Sequence, residues 1–537
     1  MLPHLPSYCG LRQNFRWQIP PRFNIGTSVC DVWALLEPER PAILDVQASG
    51  IVVTTYGMLR DSSNRLAQAL ARRNIRAGDR LAILLPQSPE VAIAHIAACK
   101  LGAIALPLAA LFGVDALAYR LRDAGAKAIL TNAAGLEKVN RIRDSLPELN
   151  IILCTDGAAA GAEDFAAALA GETPDFTPLD TSCDDPAMMI YTSGTTGPPK
   201  GALHAHRVLL GHLPGMQFSH EFFPQPGDRL WTPADWAWAG GLLNVLLPGL
   251  YFGVPVVCRA TQKFDPEAAY ALMEQAGVRN AFIPPTALRL MRSVDNPLQK
   301  YRLNLRTLAS AGETLGAETL AWGKAVLGMN INEFYGQTEC NYIVSSCAAL
   351  GVSRPGAIGK AVPGYETGVI REDGSPCAPD ELGQIAVRTP NPALFLGYWN
   401  QPEATQAKYL GDWLKTGDQG SMDGDGYIHF TGRDDDVITS SGFRIGPGEI
   451  EDCLLRHPAV AVAAAIGKPD PLRTEIVKAF VVLRAGETAS PALAKNIQNF
   501  VRTRLSAHEY PREIAFVAEL PLTTTGKVIR RLLRDRE

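Results

Sequence analysis

The segment RLAILLPQSPEVAIAHIAACKLGAIALPL, residues 80–108, places a helical stretch between two short apolar runs. RLAILLP and AIALPL are continuous apolar runs of strand length, whereas PEVAIAHIAACKLG has the spacing of a helix. A strand, a helix and a second strand in this order indicate two parallel strands joined by a crossover helix. The segment therefore predicts a mostly parallel sheet covered by helices.

The same alternation continues on both sides of this segment. MLRDSSNRLAQALARRNI before it has helical spacing, and AILTN after it is another apolar run. The pattern returns between residues 229 and 335, where GVPVVC, DPEAAYALMEQAGV, NAFIPP, TLASAGE and INEFYG follow one another. We therefore expect an α/β fold in which a large N-terminal domain has two sheet-and-helix lobes.

The C-terminal part of the chain has a different pattern of predicted strands and helices. GYETGVIREDGSPCAPDELGQIAVRT, which starts at residue 364, has short strands and turn residues and predicts a small β unit. After YIHFTGRDDD, two helical stretches, two apolar strands and a basic last helix form an α+β set of their own. We place a domain boundary at the charged stretch 434–436, so that the domains are residues 1–433 and 434–537. A solvated turn inside one domain is the alternative.

Composition excludes several classes of protein. The chain has 537 residues, 47% hydrophobic and 20% charged, with a net charge of −4, which is ordinary for a soluble globular protein and predicts no nucleic-acid partner. No apolar run reaches the roughly 18 residues that a membrane span requires, and the N-terminus has no apolar signal core. The ten cysteines are scattered without a CxxC pair, which fits a reducing cytoplasm.

The loop YTSGTTGPPKG, residues 191–201, is rich in hydroxyls and glycines and ends near a lysine. It is not a Walker A loop, because prolines precede Lys200 and glycine follows it. Hydroxyl groups, backbone N–H groups freed by the glycines and the Lys200 ammonium can together hold phosphate. The alternative is a flexible surface turn.

Five further motifs follow this loop in order. They are SAGETL from residue 310, FYGQTE from 334, WLKTGD from 413, GRDDDVITSSGFRIGPGEIE from 432 and PLTTTGKVIRR from 521. With the loop, they make the chain resemble the adenylate-forming superfamily of acyl-CoA synthetases, luciferases and peptide-synthetase adenylation domains. The resemblance runs from WQIPPRFNIG at residue 17 to near the C-terminus and is closest to medium-chain acyl-CoA synthetases. It implies an AMP-forming acid–CoA ligase that uses ATP and Mg²⁺ as cofactors and CoA as a co-substrate.

The resemblance also implies an ATP site. Its phosphate loop would comprise Thr192, Ser193, Gly194, Thr195, Thr196, Gly197 and Lys200. Its adenine and α-phosphate contacts would be Gly312, Glu313, Thr314, Tyr335 and Thr338, where Tyr335 either stacks on adenine or is simply a buried aromatic. Its ribose and phosphate contacts would be Asp418, Arg433 and Arg444, and Glu339 would contact Mg²⁺.

Lys527 resembles the lysine that catalyses adenylation, with a surface lysine in a basic tail as the alternative. A mobile ammonium can neutralise the attacking carboxylate and the charge that develops on phosphate. Acetylation of Lys527 by a protein acetyltransferase would remove this cation. In this family the small domain alternates between two poses, which makes Asp435 the expected hinge. The expected CoA channel is Ser441, Gly442 and Phe443.

The expected acyl pocket comprises Trp236, Trp238, Ala239, Gly240 and Gly336. Acetyl-specific relatives carry a tryptophan at the position of Gly336, so a glycine there is expected to leave room for several more methylenes, each worth about 0.8 kcal/mol when buried. We therefore expect a medium-chain, branched or aromatic acid, a place in fatty acid metabolism, and poor use of acetate. The two tryptophans could instead pack the core.

Two other functions stay open at this point. The same fold could load a carrier-protein thiol, although no carrier domain follows in the sequence. A catalytically silent nucleotide-binding relative is the third alternative, and the presence of Glu339, Asp418 and Lys527 speaks against it. The sequence leaves the oligomeric state open, with a homo-oligomer among the alternatives.

Overall fold

The structure is a computed structural model that describes residues 1–192, 198–261, 263–433, 436–440, 443–470, 473–504, 510–523 and 527–536. Its strands, in chain order, are β1 (Pro41–Gln47), β2 (Gly50–Thr55), β3 (Arg80–Leu84), β4 (Ile104–Pro107), β5 (Ala126–Thr131), β6 (Ile151–Cys154), β7 (Glu163–Asp164), β8 (Pro186–Thr192), β9 (Lys200–Ala205), β10 (Leu230–Trp231), β11 (Val256–Cys258), β12 (Asn280–Phe282), β13 (Thr307–Ser310), β14 (Ile331–Tyr335), β15 (Val344–Ser345), β16 (Lys360–Ala361), β17 (Thr367–Ile370), β18 (Gly383–Arg388), β19 (Gly397–Tyr398), β20 (Tyr409–Leu410), β21 (Trp413–Met422), β22 (Ile428–Arg433), β23 (Ile438–Ser440), β24 (Phe443–Ile445), β25 (Val460–Asp470), β26 (Thr474–Leu483) and β27 (Glu513–Phe516).

The α-helices are α1 (Tyr8–Asn14), α2 (Val32–Leu36), α3 (Tyr56–Arg72), α4 (Pro89–Leu101), α5 (Val114–Ala124), α6 (Ala133–Ile142), α7 (Phe165–Ala170), α8 (Val208–Ser219), α9 (Ala239–Gly241), α10 (Leu247–Tyr251), α11 (Pro266–Gln275), α12 (Pro285–Met291), α13 (Pro297–Lys300), α14 (Ala317–Val326), α15 (Pro402–Gln406), α16 (Pro447–Leu455), α17 (Pro491–Arg504) and α18 (Arg530–Arg534). Thr27–Asp31 and Leu242–Leu246 are π-helical turns, and Arg143–Ser145 and Ala348–Leu350 are 3₁₀ turns.

Two mostly parallel sheets build the N-terminal lobes. One has the order β19-β9-β8-β4-β3-β5-β6-β7, in which every pair from β8 to β7 is parallel. The other has the order β16-β15-β14-β13-β12-β10-β11-β1-β2, in which the pairs from β14 to β1 are parallel. Among the described strands, antiparallel pairs occur only near the edges of these two sheets. The α/β class with two lobes is confirmed.

The segment that opens the sequence argument forms β3, α4 and β4 as predicted. Helix α4 begins with Pro89, whose fixed φ suits the first helical turn, and ends at Gly102 with φ 75°. Ten of its thirteen residues are buried, because the helix packs inside the lobe rather than on its surface. β3 and β4 are parallel, with Leu81 opposite Ala105.

The β unit and the last hundred residues form two further sheets. The β unit is an antiparallel sheet of order β17-β18-β21-β20, with β22 paired to β21. The C-terminal sheet has the order β24-β23-β26-β25, with β27 parallel to β26. Its strands and helices α16 and α17 share a separate apolar core that includes Ile450, Val477 and Ile497. None of the helices in the described part of the chain combines the length and apolar character that crossing a bilayer requires.

Candidate active site

The predicted motifs meet because several of them follow the carboxyl ends of parallel strands. SAGETL begins at the end of β13, and the residues after Tyr335 leave the end of the neighbouring β14. Parallel neighbours place their carboxyl ends at one edge of a sheet, which is where open α/β sheets bind ligands. Gly312 has φ 99°, a conformation that favours glycine, so the backbone turns sharply as it leaves β13.

Asp418 and Arg433, the predicted ribose contacts, face each other across paired strands. They are register partners on β21 and β22, and Arg433 Nε lies 3.8 Å from Asp418 Oδ1. The Tyr335 hydroxyl donates to Asp418 Oδ2 at 2.5 Å, so Tyr335 is anchored to the carboxylate. Burial raises the pKa of Asp418, while Arg433 and the Tyr335 hydrogen bond act in the opposite direction. The carboxylate is thus oriented by two neighbours and keeps acceptor capacity for hydroxyl donors.

Glu313, predicted at the adenine, is held by two residues of α12. The Thr286 hydroxyl lies 2.9 Å and 2.8 Å from its two carboxylate oxygens, and Arg289 Nη2 lies 3.3 Å from Oε2. Thr314, next in the chain, accepts from Arg289 through its carbonyl at 3.2 Å. Residues 313 and 314 of the SAGETL motif are therefore held by side chains from α12. The sequence analysis missed Thr286 and Arg289 because no spacing pattern links them to residue 313.

Lys527 reaches this site from the C-terminal part of the chain. A Cβ added to Gly312 would lie 3.8 Å from Lys527 Cε, which places the lysine beside the turn after β13. The Lys527 side chain is exposed, yet desolvation by the surrounding protein lowers the pKa of its ammonium. Glu313 and Asp418 oppose that shift by stabilising the charged form, whereas Arg433 adds to it. The lysine thus lies among the predicted adenine and ribose contacts.

Helix α16 docks the C-terminal sheet against the turn and helix that follow β13. Both carboxylate oxygens of Asp452 would lie 2.8 Å from a Cβ added to Gly316, and Arg456 Nε lies 3.5 Å from Glu318 Oε1. Burial raises the pKa of Asp452 to about 6, against the opposing effects of Arg289 and Arg456. This contact joins α16 to the turn and helix that follow β13.

Glu339, the predicted Mg²⁺ contact, is buried and accepts a hydrogen bond from the Tyr398 hydroxyl at 2.5 Å. The half-buried Thr338 precedes it at the same edge. Lys200 Nζ lies 5.1 Å from the centroid of the same Tyr398 ring. Nowhere in the described residues do three or more His, Cys, Asp or Glu side chains group as a metal site. Glu339 offers a single carboxylate, and Mg²⁺ is commonly bound through one or two carboxylates together with phosphate oxygens.

The ends of the phosphate loop lie at the end of a hairpin. Thr192 and Lys200 are register partners on the antiparallel strands β8 and β9. The five predicted residues between them lie outside the described residues, as do three further predicted residues near the domain boundary: Ser193, Gly194, Thr195, Thr196, Gly197, Asp435, Ser441 and Gly442. Phe443 and Arg444 belong to β24, and their side chains lie outside the described part of the chain.

The predicted acyl segment runs into α9. Trp236 is buried in the main core with an unpaired indole N–H, and Trp238 is half-buried with its ring edge-on to Phe112 at 5.7 Å. Ala239 and Gly240 begin α9, and a Cβ on Gly240 would lie 3.1 Å from the Phe282 ring. Trp236 therefore packs the core, while Trp238 and Gly240 keep partly accessible surface.

The expectation that Gly336 leaves room in the pocket is wrong for this backbone. A Cβ added to Gly336 would lie 1.2 Å from the carbonyl oxygen of Asn341 and 3.1 Å from the Tyr342 nitrogen. The volume beside the glycine is filled by main chain. Glycine is required here because the chain folds back on itself between residues 336 and 341.

Comparisons with known proteins identify the family of this chain. The family model of the AMP-binding enzyme matches residues 30–399, and that of the AMP-binding enzyme C-terminal domain matches residues 449–527. The acetyl-coenzyme A synthetase of Bacillus subtilis is 36% identical over 90% of this chain and 85% of its own length. The mitochondrial acyl-coenzyme A synthetase ACSM2 of Rattus norvegicus is 34% identical over 97% of this chain and 92% of its own.

One solved structure is similar over nearly the whole chain. The anthranilate CoA ligase AuaEII, in complex with anthranoyl-AMP, matches with a TM-score of 0.88 and 28% identity, covering 96% of this chain and 98% of that one. The protein belongs to the AMP-binding enzyme family and is an AMP-forming acid–CoA ligase of the acyl-CoA synthetase type.

Proposed function

We propose that the protein activates a medium-chain, branched or aromatic carboxylic acid and transfers its acyl group to CoA. The observation that carries the catalytic assignment is the position of Lys527, beside Gly312 and within electrostatic reach of Glu313 and Asp418. The substrate class is supported by apolar aromatic surface next to Gly240 and by the likeness to an anthranilate CoA ligase solved in complex with anthranoyl-AMP. The acetyl-CoA synthetase relative makes acetate the competing substrate.

In the first half-reaction, a carboxylate oxygen attacks the α-phosphorus of ATP and pyrophosphate leaves. Lys527 neutralises charge on the attacking carboxylate and the phosphate, while Thr338 donates to the α-phosphate. Asp418, oriented by Tyr335 and Arg433, accepts the ribose hydroxyls. A magnesium ion held by Glu339 would supply positive charge at the phosphate oxygens.

In the second half-reaction, the CoA sulfur attacks the acyl carbon and AMP leaves with the bonding electron pair. We propose the domain division at residues 433 and 434, with Asp435 as the hinge. Rotation about it would withdraw Lys527 and bring Ser441, Gly442 and Phe443 to the thiol channel, with Arg444 near phosphate in one of the two poses. The docked contact of α16 would be released during each turnover.

The test is pyrophosphate release across acids from C2 to C12, branched acids and benzoate, with and without CoA. We expect CoA-dependent turnover that peaks at a C4 to C8, branched or aromatic acid and is weak with acetate. Adenylate formation with no gain from CoA would favour a carrier-protein acceptor. A maximum at acetate would refute the substrate class, and no adenylate with any acid would refute catalysis. Lys527→Ala serves as the adenylation-deficient control.

A further inference from the structure

Tyr398 contacts two groups of the candidate site at once. Its hydroxyl donates to Glu339 Oε1 at 2.5 Å, and its ring lies under the Lys200 ammonium, 5.1 Å from the centroid. An ammonium within about 6 Å of an aromatic face is attracted by the ring quadrupole. One side chain therefore joins the candidate metal carboxylate to the lysine that ends the phosphate loop.

The backbone around Tyr398 is fixed on both sides. Gly397 and Tyr398 form β19, which pairs with β9 so that Tyr398 lies opposite Ala202. The Tyr398 N–H donates to the Thr405 hydroxyl at 2.8 Å. Since Lys200 starts β9, the tyrosine and the lysine are held by the same pair of strands.

Neighbouring side chains also restrict the Tyr398 ring. Phe395 packs edge-on against it at a centroid distance of 5.0 Å. The next residue, Trp399, donates through its indole N–H to the Asp123 carbonyl at 3.1 Å and so points to a different part of the lobe. The ring thus has a single defined place between the loop lysine and Glu339.

We propose that Tyr398 is a positioning residue for nucleotide binding, which rests on the proposed function of this site. Its hydroxyl orients the Glu339 carboxylate and leaves the second oxygen free for the metal. Its ring holds the Lys200 ammonium near the phosphates. The two roles are chemically separable, because phenylalanine removes only the hydroxyl, whereas methionine also removes the ring.

The experiment measures equilibrium binding of ATP by calorimetry, without acid or CoA, over a titration of Mg²⁺ and of Mn²⁺. Tyr398→Phe is expected to raise the metal concentration for half-maximal ATP binding about tenfold, the usual effect of losing a hydrogen bond to a metal ligand. Tyr398→Met is expected to show the same shift and, in addition, to weaken metal-free ATP binding about two- to fivefold. Methionine is chosen because its flexible side chain fills the volume of the ring.

Tyr301→Phe is the matched control. The Tyr301 hydroxyl also donates to a carboxylate, that of Glu267, on the exposed surface away from the site. It should leave both titrations unchanged, and thermal unfolding checks that all three variants fold.

Each outcome of the titrations decides one part of the proposal. An unchanged metal requirement in Tyr398→Phe would overturn the orienting role of the hydroxyl. Equal metal-free affinity in the phenylalanine and methionine variants would overturn the role of the ring. The proposed function is judged separately, from pyrophosphate release by the wild-type protein across the panel of acids with and without CoA.

Discussion

Gly336→Ala should destabilise the large domain rather than narrow its acyl pocket. The new Cβ would lie 1.2 Å from the Asn341 carbonyl oxygen and 2.3 Å from the carbonyl carbon. The ordinary contact distance between a Cβ and a carbonyl oxygen or carbon is about 3.5 Å. The new Cβ would lie so much closer than this that rotating a side chain cannot remove the clash. The atoms in the way are main chain, and relief requires the segment from residue 340 to 342 to move.

That segment has little freedom to move. Asn341 has φ 60°, its N–H donates to the Gln337 carbonyl at 2.6 Å, and its side chain donates to the Ala393 carbonyl at 2.6 Å. Overpacking costs about 3 kcal/mol at the upper end of its usual range, and each lost hydrogen bond adds about 1 kcal/mol. We expect the free energy of unfolding to fall by about 3 to 5 kcal/mol, which chemical denaturation of the purified variant measures.

Gly240→Ala is the control for this prediction. Its Cβ would meet only the edge of the Phe282 ring, at 3.1 Å, and a ring can tilt by a few tenths of an ångström. We expect this variant to lose less than about 1.5 kcal/mol. If Gly336→Ala were as stable as the wild type and preferred shorter acids, the close-approach explanation would be refuted and the open-pocket interpretation restored.

Three further predictions concern charge at the site. Lys527→Gln, which also mimics acetylation, should slow adenylation about 10²- to 10³-fold yet still form thioester from supplied acyl-adenylate; equal losses in the two half-reactions would contradict the assignment. Asp418→Asn should weaken ATP binding roughly ten- to hundredfold in calorimetry at unchanged thermal stability, and unaltered affinity would remove it from the ribose site. Burial raises the pKa of Asp452 to about 6 and the pKa of Glu333 to about 7. Their protonated forms therefore favour the docked state, in which α16 contacts the segment after β13. This stabilisation is lost as the pH rises through those values. The contribution of docking to adenylation should therefore decline between about pH 4 and pH 6 in the wild type and stay level in Asp452→Asn, and identical profiles would exclude this docking effect.

The fold could be predicted where local pattern and tertiary packing agree. Residues 80–108 read as strand, helix and strand because both strands and α4 are buried, so their apolar runs are continuous. The order of strands in each sheet could not be read, because pairing joins distant segments. β1 and β11, for example, pair over more than two hundred residues.

The site was predictable to the extent that its residues follow strand ends in recognisable motifs. Tyr398 and Thr286 could not be predicted because each contacts a partner that is distant in sequence. The position of Tyr398 follows only from the pairing of β19 with β9. Gly336 was misinterpreted for a different physical reason. A glycine leaves a pocket open only where no other atom occupies the space of the missing side chain. The sequence does not show that the Asn341 carbonyl occupies that space beside Gly336.

We propose that release of the α16 contact allows one site to serve two reactions. Asp452 lies against Gly316, where an apolar side chain would have been expected at a permanent interface. The pKa of Glu333 is raised in part by Asp452, so the two carboxyls oppose each other's ionisation across the contact. The Arg456–Glu318 pair, at 3.5 Å and partly exposed, contributes only about 0 to 1 kcal/mol. We propose that this contact holds Lys527 in place for adenylation and is released once pyrophosphate has left.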